Sequence, residues 1–173
     1  MLNSLLLQQM TIIPAHSITQ LETIEKLAWE IIPEFYAAYI PLEHCIFFVQ
    51  KFQTLHAIRQ QIANGFEYYL LSDGTDVIGY LGLQPSAEKI LLFKLYLLKT
   101  CRGKGMGTFA MDFVDERALQ NKTPLIELEV SEHNKQTITF YENKGFSIRE
   151  LVIHHYENGY SIGDYKMTKL INP

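Results

Sequence analysis

A glycine-rich turn at residues 102–107 is the part of the sequence best suited to binding an anion. It reads Arg-Gly-Lys-Gly-Met-Gly, with glycines at alternate positions. Such glycines remove the Cβ atoms that would keep a ligand away from the backbone, and they permit positive φ angles. An apolar run, residues 90–98, precedes the turn, and helical periodicity follows it. The amides and dipole at the start of that helix would face the turn and favour a phosphate.

Spacing excludes two common phosphate-binding loops. A Walker loop needs Gly, four residues and then Gly-Lys-Ser/Thr, and the sequence has no such string. The dinucleotide pattern Gly-x-Gly-x-x-Gly also fails, because no glycine follows Gly105 at the third position. The pattern that fits is Arg-x-x-Gly-x-Gly, formed by Arg102, Gly105 and Gly107. Taken alone, it leaves a purely structural strand-to-helix turn as the alternative.

A second motif follows in residues 126–146, where a strand pattern leads into Asn-x-x-small-Ile-x-x-Tyr-x-x-x-Gly-Phe. The matching positions are Asn134, Thr137, Ile138, Tyr141, Gly145 and Phe146. Together with Arg-x-x-Gly-x-Gly, this motif resembles the paired signatures of the GNAT superfamily of N-acetyltransferases, in the expected order and separation. One position departs from the family pattern, since Thr137 stands where alanine is more frequent, but threonine is also small.

The resemblance implies an acyltransferase that uses acetyl-CoA and transfers the acetyl group directly to a primary amine in a ternary complex. It also implies the GNAT fold, an α/β arrangement with a central mixed, mostly antiparallel sheet flanked by helices. The pattern over the whole chain resembles bacterial members with unassigned acceptors. A small-molecule amine is the first choice of acceptor, and a protein amine is the second.

The same resemblance assigns the cofactor-binding positions. Backbone amides of the glycine turn would hold the pyrophosphate, the end of the apolar strand would pair with the pantetheine, and Asn134 would contact the pantetheine arm. Tyr141 would be the general acid that protonates the departing CoA sulfur. The full set is Leu95, Tyr96, Leu97, Arg102, Gly103, Lys104, Gly105, Met106, Gly107, Thr108, Asn134 and Tyr141.

A general base is also needed, because an amine acceptor is mostly protonated at neutral pH. Glu129 is the preferred candidate, followed in order by Glu127, Glu67 and His133. Each of these residues also has a plain interpretation as a solvated or structural side chain.

An aromatic segment is the candidate acceptor site, because in the family the region between the first two helices borders the acceptor pocket. Its residues are Phe35, Tyr36 and Tyr39. The alternative is that these side chains only cover the core.

Composition narrows the class of protein. With 47% hydrophobic and 20% charged residues the chain is predicted to be globular, and its 173 residues suit one domain, 1–173. A net charge of −4 argues against a nucleic-acid partner. Residues 1–10 have no signal-peptide pattern, no apolar run is long enough for a membrane span, and two distant cysteines suit the cytoplasm. The histidines show no metal-ligand spacing, so no metal is predicted.

Local signals predict the elements that must position these residues. Thr19 and Glu22 suggest a capping box for a first helix that Pro33 would end. A second helix is predicted over residues 54–63, a hairpin over 66–83, a strand over 125–130 and a helix over 135–144. Asn158-Gly159 indicates a final hairpin within residues 146–170.

Two points stay open at the level of sequence. A non-catalytic acyl-CoA-binding sensor or interaction module is the rival function, since it would keep the cofactor turn without turnover. The resemblance also allows a homodimer formed through the last strands.

Overall fold

The computed structural model describes residues 9–171, which form a mixed α/β fold. The elements are β1 (Thr11–Pro14), α1 (Ile18–Tyr36), α2 (Leu42–Phe52), α3 (Leu55–Ala63), β2 (Glu67–Ser72), β3 (Val77–Pro85), β4 (Ile90–Leu97), a short 3₁₀ turn (Lys99–Cys101), α4 (Met106–Gln120), β5 (Leu125–Ser131), α5 (Lys135–Asn143), β6 (Ser147–His155) and β7 (Ser161–Leu170). Residues 1–8 and 172–173 lie outside the described part of the chain.

The strands form a mixed sheet, in agreement with the predicted fold class. Their order is β1-β2-β3-β4-β5-β7-β6. The β1–β2, β2–β3, β5–β7 and β6–β7 pairs are antiparallel, whereas β4 and β5 are parallel. The pairing is therefore mostly antiparallel, as the sequence predicted.

The chain divides into two compact units. The first contains the residues up to Gln84 together with Lys94–Asp112. Its core includes the buried face of α1, with Ile24 and Ile31 almost fully enclosed, and the buried Tyr80 of β3. The Tyr80 hydroxyl donates a 2.9 Å hydrogen bond to Oε1 of Gln53, which satisfies a polar pair in this core.

The second unit contains Pro85–Phe93 and the residues from Phe113 onward. Ile126, Leu128 and Met167 are buried in its core, at alternate positions of neighbouring strands. The β6–β7 hairpin turns at Gly159, whose φ is +79°, so the Asn158-Gly159 signal is confirmed.

The first helix differs from its prediction at both ends. Its capping box consists of Ser17 and Gln20, not Thr19 and Glu22. At the other end, the helix continues through Pro33 to Tyr36, and the amide of Ala37 still bonds to the Pro33 carbonyl at 3.1 Å. The buried Ile31 and Ile32 anchor the turn before the proline, so tertiary packing outweighs the lost hydrogen bond.

Other elements agree more closely. Thr54 caps α3, Asn134 caps α5, and the strands at 67–72, 77–85 and 125–131 fall within a few residues of their predicted bounds. Helix α2 was not predicted, because its aromatic residues gave no clear helical period. Within residues 9–171, no helix has both the length and the apolar character needed to cross a membrane.

Candidate active site

The glycine turn has the backbone conformation that its sequence indicated. Gly103 and Gly105 have φ angles of +73° and +91°, in the region that side chains other than glycine rarely adopt. Helix α4 begins directly afterwards, and its first hydrogen bond runs from the Phe109 amide to the Gly105 carbonyl at 3.0 Å. The amides of Met106, Gly107 and Thr108 therefore precede that bond, at the positive end of the helix dipole.

The strand before the turn is buried only in its first half. Ile90 and Leu92 are buried, whereas Leu95, Tyr96 and Leu97 are half-buried. The parallel register with β5 covers residues 90–92, and β4 continues beyond it to residue 97. The end of β4 thus extends past the register shared with β5.

Gly79 of β3 allows a close approach between β3 and the end of β4. A Cβ atom at this position would lie 2.2 Å from the Tyr96 carbonyl oxygen, so only glycine fits opposite the end of β4.

The side chain of Arg102 contacts protein groups on α1 and β4. Its Nε donates to the Leu97 carbonyl at 3.0 Å, and a terminal nitrogen donates to Glu34 at 2.6 Å. The guanidinium carbon lies 4.8 Å from the ring centroid of Phe35. The hydrogen bond from Arg102 lowers the pKa of the Glu34 carboxyl, against the effect of burial, and Lys99 adds to this lowering.

The aromatic candidates for the acceptor site lie at the end of α1 and just after it. Phe35 and Tyr36 pack edge to face with ring centroids 5.0 Å apart, and Phe35 and Tyr39 are 6.3 Å apart. Because Arg102 covers Phe35, this cluster and the glycine turn are joined within the first unit.

In the second unit, Asn134 and Tyr141 occupy the two ends of α5. Asn134 is buried, and its side-chain oxygen accepts a 3.2 Å hydrogen bond from the Thr137 amide as the helix cap. Tyr141 is also buried, and its ring packs against those of Phe140 and Phe146 at centroid distances of 5.2 and 5.6 Å.

The base candidates differ in their partners. Glu127 forms a 2.6 Å ion pair with Lys89, and Glu67 accepts a hydrogen bond from the Tyr69 hydroxyl. Glu129 lies 2.8 Å from Nε2 of His154.

His154 also lies 3.8 Å from the Asp164 carboxylate. The sequence alone did not indicate a role for His154 or Asp164. Side-chain alternation along each strand shows that these residues share a face with Glu129 only when the register of β5, β7 and β6 is known.

The comparisons with known proteins place the chain in a family. The sequence model of the Acetyltransferase (GNAT) family matches residues 24–146, more than half of the chain, and the chain belongs to that family. No curated protein sequence matches the chain.

Several solved structures share the fold. The PaiA N-acetyltransferase from Thermoplasma acidophilum, in complex with coenzyme A, has 22% identity and a TM-score of 0.74, over 93% of this chain and 98% of that one. The ribosomal-protein-S18-alanine N-acetyltransferase from Escherichia coli has 14% identity and a TM-score of 0.72, over 95% of both chains. A GNAT family acetyltransferase from Elizabethkingia anophelis with acetyl-CoA bound has 15% identity and a TM-score of 0.64, over 94% and 98%.

Family membership identifies the chain as an acetyltransferase with acetyl-CoA as its cosubstrate. At these identities, the structural likeness establishes the fold and not the acceptor.

Proposed function

We propose that the chain is an N-acetyltransferase that moves the acetyl group of acetyl-CoA directly to the primary amine of a small molecule. The observation that carries the proposal is the turn at Gly103 and Gly105, which leads directly into α4. The turn follows β4 and the short 3₁₀ turn, and β4 extends beyond its pairing with β5. This arrangement supplies backbone donors for a pyrophosphate and an extended backbone for the pantetheine arm.

In this proposal the backbone does most of the cofactor binding. The amides of residues 103–108 take the pyrophosphate, and Lys104, which is exposed, adds positive charge. Arg102 contributes by holding the start of the glycine turn in place. Its guanidinium bonds to Glu34 and Leu97, and its amide bonds to the Lys99 carbonyl at 3.3 Å. Leu95, Tyr96 and Leu97 pair with the pantetheine, and one of their amides polarises the thioester carbonyl.

The transfer needs two proton movements. The amine nitrogen attacks the thioester carbon, the new C–N bond forms, and the C–S bond breaks. Glu129 accepts the proton that leaves the amine, and the Tyr141 hydroxyl gives a proton to the CoA thiolate. The resemblance of its motif supports the role of Tyr141, while the position of Glu129 beside His154 and Asp164 supports an acidic environment for a cationic acceptor.

The size of the acceptor is proposed from the aromatic cluster. Phe35, Tyr36 and Tyr39 pack against one another, which suits a compact pocket better than the open groove that a peptide requires. A protein amine stays the second choice, and a non-catalytic acyl-CoA sensor is the rival function.

Titration of the full chain with acetyl-CoA, followed in the same sample by thiol release against a panel of amines, tests this proposal. We expect acetyl-CoA to bind and free CoA thiol to be released in the presence of a small amine. Binding with release only on a peptide amine would move the acceptor to protein, and binding without any release would favour the sensor. Absence of binding would show that the glycine turn is structural.

A homodimer through the last strands is also proposed. Strand β6 is an edge strand of the sheet. Three of its apolar side chains are unusually exposed, namely Ile148, Leu151 and Ile153 at 41, 47 and 48%. Light scattering after size exclusion should give twice the chain mass. A Leu151→Glu variant should give the monomer mass, and a monomer for the unchanged chain would overturn the dimer.

A further inference from the structure

Three side chains capable of binding a metal ion meet on one face of the second unit. Asp164 lies opposite Ser131 of β5 and opposite Val152 of β6 in the strand register. Glu129 and His154 are each two residues along their strands from those partners, so both point to the same face as Asp164. The three residues belong to three neighbouring strands, and two antiparallel pairings fix their positions.

The distances suit a single ion. Nε2 of His154 lies 2.8 Å from the Glu129 carboxylate and 3.8 Å from that of Asp164, and the three ligand atoms lie within 4.8 Å of one another. Ligands at about 2.0–2.2 Å from a tetrahedral metal are separated by about 3.3–3.6 Å. The observed separations bracket this value. Displacements of the ligand atoms by less than about 1 Å would therefore bring all three within bonding distance of one ion.

Charge and access are also favourable. Two carboxylates balance the charge of a divalent ion, and the three side chains are between 19 and 33% exposed, which leaves a path from solvent. Lys166 lies opposite Glu129 in the strand register, and its ammonium lies 2.5 Å from the Glu150 carboxylate.

The nature of the ligand atoms selects the metal. One imidazole nitrogen with two carboxylate oxygens suits Zn²⁺ and its first-row neighbours, whereas Mg²⁺ and Ca²⁺ prefer oxygen ligands alone. We propose that Glu129, His154 and Asp164 form a binding site for a divalent transition-metal ion such as Zn²⁺, with water in the remaining position. An ion bound there would occupy the Glu129 carboxylate, so in the acetyl transfer proposed above Glu129 acts as the base only in the metal-free protein. The residues from sequence positions 129, 154 and 164 show no metal-ligand spacing along the chain, which explains why sequence analysis predicted no metal.

The matched test compares two neighbouring histidines on β6. His154→Ala removes a proposed ligand, whereas His155→Ala removes an exposed histidine that alternates to the other face and bonds to Ser161 at 2.7 Å. The full chain, without any histidine tag and after chelator treatment, is titrated calorimetrically with ZnCl₂ and separately with MgCl₂. Binding is measured instead of turnover, so the outcome does not depend on the proposed transfer reaction.

One saturable Zn²⁺ site per chain is expected for the unchanged protein and for His155→Ala. His154→Ala should bind more than about tenfold more weakly, since even the outer-shell partners of metal ligands change affinity by about 10–100-fold.

Asp164→Asn, which preserves side-chain shape, gives a second test if His154→Ala fails to fold, and it should weaken Zn²⁺ binding in the same direction. Absence of saturable binding would overturn the site. Equal affinities of the His154→Ala and His155→Ala proteins would do so as well, because the ion would then bind elsewhere. Equal affinity for Mg²⁺ and Zn²⁺ would exclude the imidazole as a ligand.

Discussion

The guanidinium of Arg102 donates a 2.6 Å hydrogen bond to the carboxylate of Glu34, 68 positions earlier in the chain. The same group bonds to the Leu97 carbonyl and covers the ring of Phe35. It therefore ties the last turn of α1 to the end of β4, immediately before the glycine turn. The arginine of the Arg-x-x-Gly-x-Gly motif thus has a structural role that does not require phosphate contact.

The Arg102–Glu34 pair should make stability depend on pH. The hydrogen bond from Arg102 lowers the pKa of Glu34 in the folded protein below the ordinary value of 4.5. A lowered pKa stabilises the fold above the unfolded-state pKa, and this contribution is lost as the pH falls through the folded-state pKa. Glu34→Gln should therefore lower the free energy of unfolding at pH 7, by about 0.2–1 kcal/mol because the pair is partly exposed.

Denaturant unfolding of both proteins between pH 7 and acid conditions measures this dependence. The difference between them should shrink on acidification, while Glu30→Gln, on the exposed face of the same helix, serves as a control. A difference that stays constant with pH would mean that the ion pair does not account for the loss.

The glycine turn can be tested against a glycine of similar conformation. Gly105 and Gly65 have φ angles of +91° and +86°, so valine at either position strains the backbone by about 1–2 kcal/mol. Gly65 follows α3, and a Cβ atom there would meet nothing within 4 Å. Gly105→Val should lower acetyl-CoA affinity more than about tenfold, or about 1.4 kcal/mol, whereas Gly65→Val should not. Calorimetric titration decides, and equal affinities would exclude the turn from cofactor binding.

The features that sequence predicted are those with local causes. Alternate glycines at 103 and 105 fixed a turn with positive φ, Asn134 capped the helix that follows it, and Asn158-Gly159 closed the last hairpin. In each case, the residues that determine the conformation lie within one turn of it.

The features that the sequence did not predict depend on long-range packing or on strand register. The helical continuation beyond Pro33 relies on the burial of Ile31 and Ile32, and no local signal reports that burial. The contact of His154 with Glu129 requires the register of β6 on β7 and of β7 on β5. A shift of one residue in either pairing would place His154 on the other face.

Tyr141→Phe tests the proposed general acid. The ring is buried and packs against two phenylalanines, so phenylalanine at position 141 fills the same space and the fold should be retained. Loss of the proton donor should lower kcat by about 10²–10⁴-fold, a much larger effect than any loss of acetyl-CoA affinity. Steady-state thiol release and calorimetry separate the two effects. Tyr160→Phe, on the β6–β7 turn, is the control, and an unchanged kcat for Tyr141→Phe would remove this residue from the mechanism.

Glu129→Gln and Glu127→Gln form a matched pair for the proposed base. The two residues lie two positions apart on one face of β5, but Glu127 is paired with Lys89 at 2.6 Å while Glu129 adjoins His154. Glu129→Gln should lower kcat at neutral pH by about 10²–10⁴-fold, whereas Glu127→Gln should have a much smaller effect.

The pH dependence of these variants distinguishes a base from a structural residue. As the pH rises towards the pKa of the acceptor, about 10.4 for a lysine-like amine, an increasing fraction of the acceptor is already neutral and needs no base. The defect of Glu129→Gln should therefore narrow steadily with pH in thiol-release assays, while a purely structural defect would stay constant. If both glutamine variants lose the same activity at every pH, the carboxylates act through folding or charge, and the proton acceptor is a different group.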